Sequence, residues 1–283
     1  MTAGCHVLTL ACPDRPGIVH AVSGAIAGAG ANIVESQQFR EPSSDTFFMR
    51  VQVDLAAGGD VEQVRAPVDA VARAFSMTWS LREQRPARML VMVSREGHCL
   101  NDLLFRAHSG TLPVEVTGVV GNHADLADLA GFYGVPFHLV PVTGQTKAAA
   151  EAELLRLVRS TGTELVVLAR YMQVLSPQLC EALAGRAINI HHSFLPSFAG
   201  ARPYHQAYAR GVKVIGATAH YVTAELDEGP IIEQDVERVS HAHDPEELKA
   251  VGRDLESRAL SRAVRWHAEH RVLVDGRRTI VFR

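Results

Sequence analysis

The sequence predicts two folded units of the α/β class: a small N-terminal α+β unit of ferredoxin-like topology, then a larger doubly wound, mostly parallel sheet. Three observations predict this. The chain has 283 residues, more than one average domain holds. Up to about residue 85 the apolar pattern switches between strand and helix periods in the order β-α-β-β-α-β. Beyond a polar stretch at 83–88, short apolar runs alternate with helical segments, the pattern of parallel strands covered on both faces. The predicted domains are therefore 1–85 and 86–283.

In the first unit, His6 to Ala11 reads as a strand. Asp14 is the expected N-cap of the next helix, with Pro16 at an early position where its missing N–H costs nothing. Ile18, Val19, Val22, Ile26 and Ala29 carry the helical stripe. Asn32–Arg40 and Thr46–Leu55 are strands separated by Pro42-Ser43-Ser44-Asp45. A second helical stripe runs Val61, Val64, Val68, Val71, Phe75, and Pro67 within it predicts a kink or a later start. Met77–Glu83 closes the unit as a strand. In the second unit, Met89–Val93, Val114–Val120, Phe137–Val140, Leu165–Ala169 and Ile188–Ile190 are the expected strands. Asp244-Pro245-Glu246-Glu247 reads as a capping box opening a long helix with the stripe Leu248, Val251, Leu255, Leu260, Val264.

Hydrophobic residues make up 47% and charged residues 21%, so a core can be built. The net charge of -3 and the lack of a basic block argue against a nucleic-acid partner. No run approaches the ~20 apolar residues of a spanning helix, and no apolar leader is visible, so neither a membrane nor export is expected. Cys5, Cys12, Cys99 and Cys180 form no metal-binding spacing. They read as free thiols of a cytoplasmic protein, with no metal and no permanently bound cofactor.

The densest polar signal is Asn189-Ile190-His191-His192-Ser193 at the end of an apolar strand. Asn189 and His191 are two apart and face one side of it. Ligands on doubly wound sheets gather at such carboxyl ends. A strand from Thr218 through His220 then leads to Glu225-Leu226-Asp227-Glu228-Gly229-Pro230. An amide that binds an oxyanion, an imidazole that moves a proton and a carboxylate that orients both are the parts of acyl transfer or amide hydrolysis. The same residues, taken singly, also read as a strand cap, a structural histidine and an ordinary turn.

The stretch 168–235 resembles the folate-dependent formyltransferase family. Leu168-Ala169-Arg170-Tyr171-Met172-Gln173-Val174-Leu175 is similar to that family's folate-binding segment, Asn189-Ile190-His191 to its catalytic Asn-x-His, and Glu225–Pro230 to the loop bearing its aspartate. Asp14-Arg15-Pro16-Gly17-Ile18 and the β-α-β-β-α-β order resemble the ACT family. The pairing of the two is the arrangement of the deformylases within that group. Ala201-Arg202-Pro203-Tyr204-His205 and Thr218-Ala219-His220-Tyr221 are also similar to them.

The resemblance implies hydrolysis of 10-formyltetrahydrofolate, as substrate, to tetrahydrofolate and formate, feeding one-carbon and purine metabolism. It implies that Asn189 binds the formyl oxygen, that His191 supports proton transfer, and that Asp227 activates water and holds His191. His220 falls just behind the aspartate, and Met172, Leu175, Thr223, Ala224, Glu225 and Leu226 line the folate pocket. It further implies homo-oligomer formation and a small amino-acid effector at Asp14, Arg15 and Gly17.

The segment Ser94–Leu100 has one glycine where transferases using glycinamide ribonucleotide have a glycine-rich phosphate cradle, and Glu96 would repel a phosphate. Water is thus the expected acceptor. The alternatives are transfer of formyl to an amine, and a sensor that binds amino acid and folate without turnover.

Overall fold

The computed structural model describes residues 4–55, 59–196 and 203–283. Contacts divide them into two units: Met1–Arg85 with Glu269–Asp275 and Ile280–Arg283, and Pro86–Ala268 with Gly276–Thr279.

In the first unit the order is β1 (Cys5–Pro13), α1 (Ile18–Gly28), β2 (Asn32–Glu41), β3 (Thr46–Asp54), α2 (Val61–Phe75) and β4 (Thr78–Glu83). The sheet runs β2-β3-β1-β4, all antiparallel. Period-two alternation sends Leu8, Leu10, Met49 and Val51 to one face, where Ile18, Val22, Ile26, Val64 and Val68 of the helices join them in one core. Arg50, on the opposite face, is fully buried. It donates to Glu35 at 2.8 Å and to the Glu269 carbonyl at 3.1 Å. Arg271 adds bonds to Glu35 at 3.2 Å and Glu269 at 2.7 Å. Paired and multiply bonded, these charges meet the condition for burial.

Two expectations for this unit need correction. Asp14 does not cap α1: Gly17, at φ 95°, is the N-cap, and Asp14 pairs with Arg40 at 2.9 Å. The later helix start is not found at Pro67, for α2 runs unbroken from Val61 to Phe75 around it. Its Asp60 cap accepts from the Glu62 amide at 3.0 Å, and the buried stripe Val64, Val68, Ala72 anchors it. Such burial outweighs the ~3 kcal/mol an internal proline costs.

The second unit holds a seven-stranded sheet of order β11-β10-β9-β8-β5-β6-β7. The strands β5 (Ala87–Val93), β6 (Val114–Gly121), β7 (Phe137–Leu139), β8 (Leu165–Leu168) and β9 (Ala187–His191) are parallel. Then β10 (Val214–Tyr221) and β11 (Ile231–Arg238) continue the sheet antiparallel. Between the strands lie α3 (His98–His108), α4 (Ala127–Phe132), α5 (Lys147–Ser160), α6 (Pro177–Ala182) and α7 (Pro203–Arg210). The long α8 (Pro245–Ala268) and the strands β12 (Val272–Asp275) and β13 (Arg278–Val281) close the chain. The chain builds β5, β6, β7 in one direction, then returns to place β8 on the other side of β5. That reversal opens a crevice at the carboxyl ends of β5 and β8. The capping box of α8 is formed: Asp244 accepts from the amides of Glu246 and Glu247, and Glu247 accepts from that of Asp244 at 2.8 Å.

Candidate active site

Register assembles the site. β9 and β10 pair so that His220 stands opposite Asn189 and Thr218 opposite His191. The directly opposed pair touches, with Asn189 Nδ2 3.2 Å from His220 Nε2. His220 Nδ1 lies 2.9 Å from the Tyr221 carbonyl. A carbonyl only accepts, so Nδ1 carries the proton, and Nε2 is free to accept one of the two Asn189 N–H bonds. The second N–H of Asn189 is left for a ligand.

After β10 the chain turns back sharply. Tyr221 N donates to the Pro230 carbonyl at 2.9 Å. A Cβ at Gly229 would fall 1.7 Å from the Tyr221 oxygen, so only glycine fits there. Asp227 takes a left-handed backbone at φ 57°, which a short polar side chain tolerates. This brings its carboxylate 3.3 Å from His191 Nδ1 and 3.7 Å from His220 Nε2. The bond from His191 holds the Asp227 carboxyl well below its ordinary range, against a burial that alone would raise it. His191 Nδ1 faces an ionised acceptor, so it is the donor nitrogen. Nε2 of His191 is buried with no hydrogen-bond partner among the described residues.

These groups border a cavity of ≈ 290 Å³, near the lower bound for small-molecule sites. Every residue expected from sequence at the catalytic cluster and folate pocket lines it: Asn189, His191, His220 and Asp227, together with Met172, Leu175 and Thr223–Leu226. Thr223 tightens the loop that bears the aspartate by donating to the Glu225 carbonyl at 3.0 Å. Met172 and Leu226 are largely exposed, apolar surface available to a flat ring. Burial pushes the Tyr171 hydroxyl, also on the cavity, up to about 12, so it remains neutral.

Asp14, Arg15 and Gly17 belong to the first unit and do not line this cavity. Arg15 donates to the Ala74 carbonyl and covers the Phe75 ring at 4.2 Å. Of the quoted Ala201–His205 motif, Ala201 and Arg202 lie outside the described residues.

The sequence reading missed a polar cluster behind His191. His192 stacks on His191, Arg170 bonds His192, and Glu256 of α8 receives Tyr204 Oη and His98 Nε2, each at 2.8 Å. On paper Glu256 sits in a polar gap of a helical stripe, and nothing local marks it. His98, Cys99 and Glu256 place potential ligand atoms within 4.8 Å of one another. Burial raises the Cys99 thiol well above its ordinary value, and Glu256 is already occupied by two donors, so the set is a poor metal cage. Glu96, expected to repel a phosphate, instead pairs with Arg253 at 2.8 Å and Lys249 at 3.9 Å. Its charge is compensated, so Glu96 offers a phosphate little net repulsion.

Comparison with known proteins places this geometry in context. Residues 87–264 match the formyl transferase family and residues 6–71 the ACT domain family. The formyltetrahydrofolate deformylase of Corynebacterium sp. (strain P-1) is 54% identical, with 98% of each chain covered. That of Bacillus subtilis (strain 168) is 46% identical, covering 97% of this chain and 93% of the relative. Among solved structures, the formyltetrahydrofolate deformylase of Burkholderia mallei superposes with TM-score 0.94 at 50% identity, covering 99% of this chain and 100% of that one. Glycinamide ribonucleotide transformylase 1 of Symbiobacterium toebii superposes with TM-score 0.66 at 34% identity, covering 70% of this chain and 95% of that one.

Proposed function

The chain, with its ACT domain followed by a formyl transferase domain, belongs to the formyltetrahydrofolate deformylase family, and on that premise we propose how its residues carry out the reaction. It hydrolyses 10-formyltetrahydrofolate to tetrahydrofolate and formate. The observation that carries the mechanism is the buried, unpartnered Nε2 of His191, whose Nδ1 is bonded to an ionised Asp227.

The pterin enters among Met172, Leu175 and the Thr223–Leu226 backbone. The formyl oxygen accepts the free N–H of Asn189. A water attacks the formyl carbon and gives its proton to His191 Nε2, while the carbonyl electron pair becomes an oxyanion on that Asn189 N–H. Asp227, too weak a base to hold the proton itself, stabilises the imidazolium across Nδ1. The imidazolium then protonates N10, the C–N10 electron pair leaves with that nitrogen, and formic acid is released to ionise as formate. His220 is a positioning residue: its accepting Nε2 aims the Asn189 amide.

The ACT domain supports binding of a small amino-acid effector near Asp14, Arg15 and Gly17, and assembly of copies through an open edge of its sheet. No described helix is long and apolar enough to cross a membrane, and we read the enzyme as acting in the cytoplasm.

The test is to incubate the protein with 10-formyltetrahydrofolate in buffer and follow formate. Release should proceed without an amine and stay unchanged on adding glycinamide ribonucleotide. Negligible release in buffer, with folate turnover raised by orders of magnitude by an amine, would make it a transferase. Tight folate binding with no turnover under either condition would make it a sensor.

A further inference from the structure

A second imidazole lies against His191, and the chemistry above does not use it. The rings of His191 and His192 stack with centroids 5.0 Å apart and planes at 15°. Arg170 Nη1 lies 2.5 Å from His192 Nδ1. A guanidinium only donates, so His192 Nδ1 accepts, and the ring is the neutral tautomer with its proton on Nε2.

Arg170 is itself held under constraint. Its backbone sits at φ 62°, a region that residues other than glycine seldom enter. Its Nε is buried without a hydrogen bond, 3.4 Å from the carboxylate of Glu256. Glu256 is 1% exposed and fixed by His98 and Tyr204. A Cβ at Gly252, one turn earlier on α8, would lie 2.0 Å from Tyr204 Oη, so the helix is notched to admit that hydroxyl. A backbone outlier and a buried ion pair both cost stability, and such features gather where geometry is part of the mechanism.

We propose that His192 is a positioning residue for the hydrolysis, a neutral wall clamped by Arg170 and Glu256 on which His191 stacks. This rests on the reaction reading given above. His191 must become an imidazolium during turnover, and a protonated neighbour in face-to-face contact would oppose that. The charged groups facing His192 are Arg170 from the loop after β8, His191 beside it, Glu256 from α8 and Asp227 from the loop after β10. Burial, then Arg170 and His191, favour the neutral ring, and the two carboxylates oppose them. The balance brings His192 down to about 4.

The sign of a perturbation follows. Without Arg170, a group that disfavours protonation is gone while both carboxylates remain, so the His192 pKa rises. Between the old value and the new one, His192 carries a charge and suppresses turnover.

The experiment is the pH profile of kcat for the full chain and for Arg170→Met, His192→Phe and the double variant. Arg170→Met should move the acid limb up by about one pH unit, the usual scale of losing one nearby charge. His192→Phe keeps a flat ring that cannot titrate, so it should lose whatever part of the acid limb His192 sets, at a kcat reduced about ten-fold or less. In its background Arg170→Met should produce no shift. An unmoved limb in Arg170→Met, or an equal shift in the double variant, overturns the proposal. A second measurement needs neither turnover nor the arginine variant. Histidine ring resonances of the wild type, with His192 identified by its absence from His192→Phe, should show a neutral ring at pH 5, and a ring titrating near 6.5 overturns the proposal. That measurement stands even if no formate is released, so failure of the reaction reading and failure of this one are distinguishable.

Discussion

Replacing Asp227 by asparagine keeps the shape of the side chain and removes its charge, which isolates what the carboxylate does for His191. The contact is 3.3 Å. At an effective dielectric of about 20, unit charges at that separation attract by about 5 kcal/mol. Asp227 is 26% exposed, and solvent screening discounts this to about 3 kcal/mol. If that attraction develops only as His191 gains its proton, turnover falls by about 100-fold. KM should move less than about three-fold, because the cavity wall is unchanged. Single-turnover formate release gives the first quantity, and quenching of protein fluorescence by the folate gives the second. A variant keeping a third of wild-type kcat, or losing its activity wholly through KM, refutes the assignment. The same group carries a stability prediction. Its folded pKa is depressed, so the bond it accepts from His191 contributes fully above the unfolded value and is lost as pH falls through the folded one. Melting temperatures of wild type and Asp227→Asn should therefore differ at pH 7 and converge in strong acid.

Three further outcomes follow. Asn189→Ala removes the oxyanion donor and should lower kcat by about 100-fold in the same assay, while Asn189→Asp should be at least as damaging because it places a negative charge at that spot. Gly229→Ala drives a methyl into the Tyr221 carbonyl, and its melting temperature should fall by several degrees or soluble protein should be lost, since the neighbour is backbone and cannot yield. Calorimetry against a panel of small amino acids should show binding that Arg15→Ala weakens, and a panel without binding or effect on turnover makes the ACT domain structural.

How much of this was legible in the sequence depended on the distance over which each feature is encoded. Asn189 and His191 lie two apart on one strand, and the Asp227 loop ends in Gly229-Pro230, so short motifs carried them. That His220 meets Asn189 is a fact of antiparallel register between β9 and β10, invisible until the pairing is known. Arg170 was visible only as part of a pocket motif, and Glu256 only as one of many acids on a long helix; their proximity is made by the fold. The later helix start suggested by Pro67 does not occur because local propensity is outweighed by burial of the helix that contains it. Asp14 misled because an ion pair with Arg40 took the side chain that capping required. The return of Glu269–Asp275 and Ile280–Arg283 to the first unit had no sequence signal, since the burial of Arg50 is what gives it meaning.

The opposition of Asn189 and His220 also governs which changes of chain length the protein can absorb. Side chains alternate along a strand, so an insertion of one residue in β10 ahead of Thr218 can be bulged out and the pairing kept. One residue added between Thr218 and Ala219 would instead turn the imidazole to the other face and bring an alanine opposite the amide. The span from His220 to Asp227 is bounded in the same way, closed at its base by the bond from Tyr221 to Pro230. Insertions and deletions should thus be permitted in the connection before Val214 and forbidden in the dozen residues after Thr218.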